Sequence, residues 1–418
     1  MYKIKTIKGR EILDSRGNPT IEVELELYSG AVGVFSVPSG ASTGKYEALE
    51  LRDNDENRYN GKGVLKAIDN INIVINDELK DREFKSQEWL DNLLIEIDGT
   101  KDKSNLGANA ILGVSCAFAR ACAEEDNIEL YEEINNIYKR LGGKKNTSLP
   151  TPSFNILNGG KHGDNGIDFQ EFMILPNGVN GLSEQVRCGA EIFHSLRSII
   201  KNHNLSVGVG DEGGFSPNLK SNIEALEIIQ EAIEETNWKL GKDVNIAIDV
   251  ASSEFYKNKK YILDHKELSS SQMIDLLSDI VKKYNIISIE DGLSEDDWTG
   301  WKELNNKLGE NVSLVGDDLL VTNIDRLNMA IENNACNYIL IKLNQIGTLS
   351  ETLNTIILAQ KNNFGIMISH RSGETVDSTI ADLAVAVGAE RIKAGAPSRG
   401  ERVEKYNRLM EIEEIIKK

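Results

Sequence analysis

The chain is short of positive charge, of cysteine and of long apolar runs. Its 418 residues carry 47 Lys and Arg against 66 Asp and Glu, a formal net charge of −19. A field of that sign repels polyanions, which disfavours nucleic acid or an acidic membrane as the main partner. It leaves room for a small anionic ligand in a local cationic pocket. No apolar run reaches the length of a membrane span, so no span is expected. The opening Met1-Tyr2-Lys3-Ile4-Lys5 lacks the apolar stretch of a signal peptide, and none is expected there. Cys116, Cys122, Cys188 and Cys336 are scattered, with no close metal-type pair. That is the usage of reduced core cysteines in a cytosolic protein.

What is present is a soluble, globular composition, 40% hydrophobic and 27% charged, in a chain longer than one ordinary core. Two domains are expected. Six segments of the second half share one design, a short β-branched or aliphatic run ending in a charged residue. They are Ile246–Asp249, Ile286–Glu290, Leu314–Asp317, Ile339–Lys342, Ile366–His370 and Arg391–Lys393. From Asp317 the polar ends Lys342, His370 and Lys393 follow after 25, 28 and 23 residues, with a helix-length amphipathic stretch in each gap. That is the period of a strand plus a helix, and strands apolar throughout belong to a parallel sheet buried on both faces. The fold class is therefore α/β, with a C-terminal (β/α)8-type barrel.

Chemistry in such a barrel sits at the C-terminal tips of the strands. Asp249, Glu290 and Asp317 come from three successive strands and can converge on one hard divalent cation, for which oxygen-only ligation favours Mg²⁺. A lone strand-end aspartate usually caps the next helix; three in succession, beside Asp291 and Asp318, make capping a poor account. Lys342, Arg371 and Lys393 are the cationic tips, placed for acid–base work and for holding an anion. His370-Arg371-Ser372 can take a phosphate through the guanidinium fork and the hydroxyl. His162, in the loop Asn158–Gly163, and Glu212, in Gly210-Asp211-Glu212-Gly213-Gly214, are weak signals alone: a loop histidine is usually solvated, and an acidic turn is common.

Earlier in the chain, Thr20–Tyr28 alternates strictly and Val32–Val37 pairs back on it, a hairpin. The loop Ser39–Gly44 follows, small enough to serve as a mobile lid. Helical patterns come at 62–80, 86–97, 107–125 and 129–141, and Leu205–Val209 reads as a strand. The flexible Gly142–Asn146 marks the boundary, giving an N-terminal α+β domain over 1–140 and a barrel domain over 141–418 whose early part, 150–210, is irregular.

Taken in order, these segments closely resemble enolase, the phosphopyruvate hydratase family, over essentially the whole chain. The matches include Glu11–Thr20, Ser39–Gly44, Asp168–Met173, Gly208–Gly214, Ile289–Leu293, Val315–Leu319, Ile341–Gly347, Ser369–Thr375 and Lys405–Arg408. The resemblance implies Mg²⁺-dependent dehydration of 2-phosphoglycerate, with two Mg²⁺ per active site. Asp249, Glu290 and Asp317 match the ligands of the first, and Ser42 on the lid the ligand of the second. Lys342 matches the general base at carbon 2, and Glu212 the general acid for the carbon-3 hydroxyl. Glu171 and His162 match residues near that hydroxyl, and Gln170, His370, Arg371, Ser372 and Lys393 substrate-binding positions. Mg²⁺ and Lys393 are expected to lower the pKa of Lys342, and neighbouring carboxylates to raise that of Glu212. The resemblance further implies an N-terminal domain on the carboxyl-end face of the barrel, irregular first strands, a homo-oligomer (a homodimer or a multimer of dimers) and a cytoplasmic protein, with the cell surface or secretion as a secondary location. Lys45-Tyr46, where the family has an aliphatic residue and often a histidine, and Gly163, where alanine is usual, depart from the pattern.

Overall fold

The computed structural model describes residues 1–40, 45–163, 165–263 and 265–417. Contacts divide the chain into two compact units. One comprises Met1–Ser148, Ile341–Leu358 and His370–Gly388, the other Leu149–Leu340, Ala359–Ser369 and Ala389–Lys418. Among the described residues no helix is long and apolar enough to cross a membrane.

The first unit contains an antiparallel sheet of β1 (Tyr2–Leu13), β2 (Pro19–Leu27), β3 (Val32–Ser36) and β4 (Glu83–Phe84), in the order β3-β2-β1-β4. The alternation in β2 is literal: Ile21, Val23, Leu25 and Leu27 are buried. β1 gives no such signal because a bulge between Ile4 and Thr6 breaks its period. Ile4 and Ile7, three apart, are thereby both buried, opposite Leu27 and Leu25. The edge of β1 is covered by a helical run over 65–79 whose middle, Asn70–Ile75, widens into a π-turn. Asn72 and Asn76 point from it and accept the N–H groups of Gly9 and Ile7 at 2.7 and 2.9 Å, which occupies an otherwise open edge.

Helices Gln87–Asp98, Ala108–Asp126 and Leu130–Arg140 complete the run. They cap later parts of the same unit. Ser115 Oγ and the Asp91 carboxylate accept the N–H groups of Leu349 and Ser350 at 3.0 and 2.9 Å, at the start of helix Leu349–Lys361. Burial pushes Asp91 up to about 6, against the hydrogen bonds it accepts.

The second unit is built on a closed eight-strand barrel. Its strands are β5 (Thr151–Asn158), β6 (Glu171–Leu175) and β7 (Asn245–Asp249), then, after a small sheet of β8 (Tyr256–Lys257), β9 (Lys260–Leu263) and β10 (Lys266–Leu268), β11 (Ile286–Glu290), β12 (Ser313–Gly316), β13 (Tyr338–Ile341), β14 (Gly365–Ser369) and β15 (Arg391–Lys393). From β7 onward each strand pairs parallel to the next where their register is resolved. β6 alone is antiparallel to both neighbours, β5 and β7. A loop joins β5 to β6 without a crossover helix, and this is the irregularity expected of the early barrel. Helices Leu182–Asn202 and Asn222–Glu234 then lead to β7.

Met173, Leu175, Ala247, Val315, Leu340 and Met367 fill the barrel as one apolar cluster. One expectation fails. Leu205–Val209 is not a strand: it forms only the isolated bridge Val209↔Phe215, and Ser206 Oγ turns the chain by accepting Gly208 N–H. The barrel closes through the eight strands without it, so its aliphatic residues have no ladder to join.

Glu413, on the last helix Gly400–Lys417, caps helix Leu182–Asn202. Its carboxylate accepts the N–H groups of Leu182 and Ser183 at 2.9 and 3.0 Å and pairs with Lys417 at 2.9 Å. Burial would raise its pKa, but the Ser183 and Lys417 contacts prevail and hold it at about 2. The folded value lies below the unfolded one, so the stabilisation is present above pH about 4.3 and fades as pH falls toward 2. Glu413→Gln is expected to cost about 1–2 kcal/mol in urea unfolding at pH 7. That deficit should shrink steadily below pH about 4.3, and a pH-independent deficit would contradict the cap.

Candidate active site

Strand register decides which side chains enter the barrel. On β6 the apolar cluster takes Met173 and Leu175, so by alternation Glu171 faces inward as well. Because β6 runs against the other strands, its first residue, not its last, lies level with the tips: Glu171 stands opposite Asp249 and Asn158. Asp249 in turn stands opposite Glu290, the last residue of β11. On β5 a register shift between Asn155 and Leu157 leaves Ile156 without an opposite residue. This bulge places both Asn155 and Asn158 inward, opposite Met173 and Glu171, and sends Leu157 outward.

Lys393, last residue of β15, joins the carboxylates. Its ammonium lies 2.8 Å from both oxygens of Glu290, 3.1 Å from Glu171 and 3.8 Å from Asp249. All four side chains are buried. Burial works against the charge on Lys393, but Glu171, Glu290 and Asp249 outweigh it and hold the lysine protonated above its ordinary range. The carboxylates outnumber it. Burial, then Glu212, pushes Glu171 well up, with Lys393 opposing; burial, then Glu290, does the same to Asp249. With its carboxylates ionised the cluster would carry negative charge that its one lysine does not balance, which is why they are held toward the protonated form.

Asp249 also accepts Ala251 N–H at 3.0 Å and the Gln170 amide at 3.3 Å. Beyond β11 the chain turns through Asp291 at φ +42°. The Asp291 carboxylate accepts the N–H groups of Asp317 and Asp318 at 3.0 and 2.8 Å and so ties the tip after β12 to that after β11. Burial, then Asp318 and Asp317, pushes Asp291 well up.

Glu212 stands in a loop docked on the β5 bulge. Phe215 N–H donates to Ile156 O, and Asn158 N–H to Phe215 O, at 2.9 and 2.8 Å. The segment after β15 braces the loop: Ala396 N–H donates to Glu212 O at 3.0 Å, and the buried Arg402 guanidinium to Asp211 O at 3.1 Å. Two glycines permit this approach. Gly213 (φ +86°) and Gly395 (φ +84°) leave no room for a Cβ, which would meet Ser398 O and Glu212 O at 2.7 Å. Asn155 donates from Nδ2 to Glu212 Oε2 at 2.8 Å, and Glu212 Oε1 lies 3.5 Å from His162 Nδ1. His162 Nδ1 is also 3.5 Å from Glu171.

In the first unit, Arg371 is held as a fork. Its guanidinium reaches both Glu47 oxygens, at 2.9 and 3.3 Å, and Asn344 Oδ1 at 3.1 Å. Its backbone N–H donates to Glu374 at 3.1 Å. His370, Arg371 and Ser372 are all buried. Lys342 directly follows β13, with extended backbone.

Two family models match the chain: "Enolase, N-terminal domain" over residues 4–134 and "Enolase, C-terminal TIM barrel domain" over 146–418. The chain belongs to the enolase family. It is thus a lyase of the enolase superfamily, acting on a small substrate, and the α/β architecture with a closed eight-strand barrel agrees.

Within this enolase-family chain, Glu171, Glu212, Asp249, Glu290, Lys393, His162 and Gln170 are gathered around one barrel mouth. Side-chain ligand atoms come within 4.8 Å of one another in two groups, His162–Glu171–Glu212 and Asp291–Asp317–Asp318. Asp249 and Glu290 instead gather on Lys393. Ser42 lies outside the described residues. Sequence reasoning missed Asn155, Glu47 and Asn344, which hold the Glu212 carboxylate and the Arg371 guanidinium; the available signal was a polar residue inside an apolar strand, as at Asn155 in β5.

The residues fit a hard cation. Asp249, Glu290 and Asp317 offer only oxygen, they are buried, and the charge excess around Asp249 is of the sign that Mg²⁺ relieves. Glu290→Gln is expected to weaken Mg²⁺ binding at least about tenfold by calorimetry. Unchanged affinity would remove Glu290 from the ligand set.

Proposed function

We propose that the chain catalyses the reversible dehydration of 2-phosphoglycerate to phosphoenolpyruvate and water, the phosphopyruvate hydratase reaction (EC 4.2.1.11) of glycolysis and gluconeogenesis. The observation that carries this reading is the separation of two chemistries at one barrel mouth. A buried, electron-rich carboxylate cluster on β6, β7 and β11 stands beside an independently braced acid, Glu212.

The proton at carbon 2, beside a carboxylate, is very weakly acidic, and its removal puts a further negative charge on that carboxylate. Asp249, Glu290 and Asp317 would hold Mg²⁺, which when bound would supply positive charge to offset that on the carboxylate. Lys342 is the proposed base that takes the carbon-2 proton. Glu212 then gives a proton to the departing carbon-3 hydroxyl, with His162 and Glu171 beside it. Lys393, His370, Ser372 and Gln170 position substrate. Arg371 offers its fork to the phosphate, in place of Glu47 or alongside it. Ser42 is proposed to serve a second Mg²⁺ at that phosphate.

We also propose residues 1–140 as the lid-bearing domain and 141–418 as the catalytic domain, in a cytoplasmic homodimer. The residues Lys45 and Tyr46 support a second reading, action on a related phosphorylated or phosphonylated hydroxy acid. In the structure the Lys45 ammonium lies 5.1 Å from the Tyr46 ring centre, a contact that an aliphatic residue could not make.

One assay tests the proposal: formation of phosphoenolpyruvate from 2-phosphoglycerate, followed by the ultraviolet absorbance of its new conjugated double bond, with and without Mg²⁺. Turnover that excess chelator abolishes and Mg²⁺ restores is expected. Turnover of a phosphonate analogue but not of 2-phosphoglycerate would favour the second reading instead.

A further inference from the structure

Asn155 lies in β5, between apolar residues, with its side chain fully buried. An unpartnered buried amide is costly, and carbon would fill the space more cheaply. Two features place it deliberately. The bulge at Ile156 turns the strand so that Asn155 and Asn158 both face inward, and Asn155 N–H is anchored on Gly395 O at 3.3 Å. Gly395 is the residue whose left-handed backbone lets the Glu212 loop come close. One strand thus carries both the donor and the dock for the loop.

The consequence concerns the two oxygens of Glu212. Oε2 accepts the Asn155 amide at 2.8 Å, while Oε1 lies toward His162 at 3.5 Å. An oxygen that accepts a hydrogen bond from an amide N–H, a donor that cannot reverse, is disfavoured as the protonated one. We propose that Asn155 is the positioning residue for Glu212, fixing Oε2 as acceptor and reserving Oε1 as the oxygen that carries the proton.

This rests on the reading of Glu212 as the acid and extends it to a stated atom. In the step, the Oε1–H bond breaks and the proton goes to the carbon-3 hydroxyl oxygen. The carbon–oxygen bond then breaks with its electron pair leaving on water, and the enolate pair forms the new double bond. Glu212 is left as carboxylate, stabilised by the same Asn155 N–H. Among the described residues, the ionisable groups around Glu212 include His162, Glu171, Lys393 and Tyr406. Of these, only Lys393 carries a fixed positive charge, so the neutral Asn155 amide supplies a donor without adding another.

The test uses the full-length protein with Asn155→Ala and the near-isosteric Asn155→Leu, which keeps the volume and removes the N–H donor without adding a charge. The readouts are dehydration, solvent exchange of the carbon-2 proton, and the Glu212 titration followed by its carboxyl ¹³C shift without substrate. Both variants are expected to lose about 10- to 100-fold in kcat for dehydration, while exchange and KM change less than about threefold. The Glu212 midpoint is expected to move up in both, since a hydrogen bond to the charged form is lost. A residue that merely fills space predicts activity retained in Asn155→Leu, and that result overturns the proposal. An unmoved Glu212 midpoint, or equal loss of exchange and dehydration, overturns it too. Wild-type protein that neither exchanges nor dehydrates 2-phosphoglycerate refutes the substrate reading instead, and the carboxyl titration still decides the positioning role.

Discussion

Everything at the barrel mouth turns on one imbalance: Lys393 faces Glu290, Glu171 and Asp249 at 2.8 to 3.8 Å, in a place without solvent. One ammonium cannot neutralise three carboxylates. Buried charge without a partner is expensive, and a fold keeps it only where something else depends on it. The apolar cluster beneath, from Met173 to Met367, itself offers no charge to offset the excess. A cation or protons can. The same field that raises Glu171 and Asp249 makes the site a receptor for a hard ion.

A second constraint is rigidity. Glu212 is not left on a free loop: the β5 bulge, the brace after β15, the Asn155 amide and two glycines hold it in place. The Arg371 fork is fixed likewise by Glu47 and Asn344 in its own unit. Asp291 spends its carboxylate on two backbone N–H groups, and thereby sets where Asp317 stands. Groups held this firmly need little reorganisation when charge develops on a substrate, and that is where catalysis gains most.

Much of this was legible in the sequence. The strand tips from Asp249 to Lys393 declared themselves because parallel strands buried on both faces are apolar to the last residue, so a terminal charge stands out. The resemblance then supplied the order. What stayed hidden follows one physical rule, that a broken period erases its own signal. The bulge in β1 puts Ile4 and Ile7 three apart, so the longest strand of the first unit read as nothing. The reversal of β6 puts Glu171 at the start of its strand, not the end. The bulge in β5 hides the inward course of Asn155 and Asn158. Leu205–Val209 erred the other way, its aliphatic residues imitating a strand that has no neighbour to pair with.

The proposed base, Lys342, and the proposed acid, Glu212, are separate groups acting in succession. Solvent exchange of the carbon-2 proton of 2-phosphoglycerate in Glu212→Gln, with Mg²⁺ affinity determined on the same sample, tests this division. Exchange is expected to continue while dehydration stops, whereas Lys342→Ala loses both. Exchange that vanishes in Glu212→Gln with Mg²⁺ binding intact, or that persists in Lys342→Ala, would contradict it.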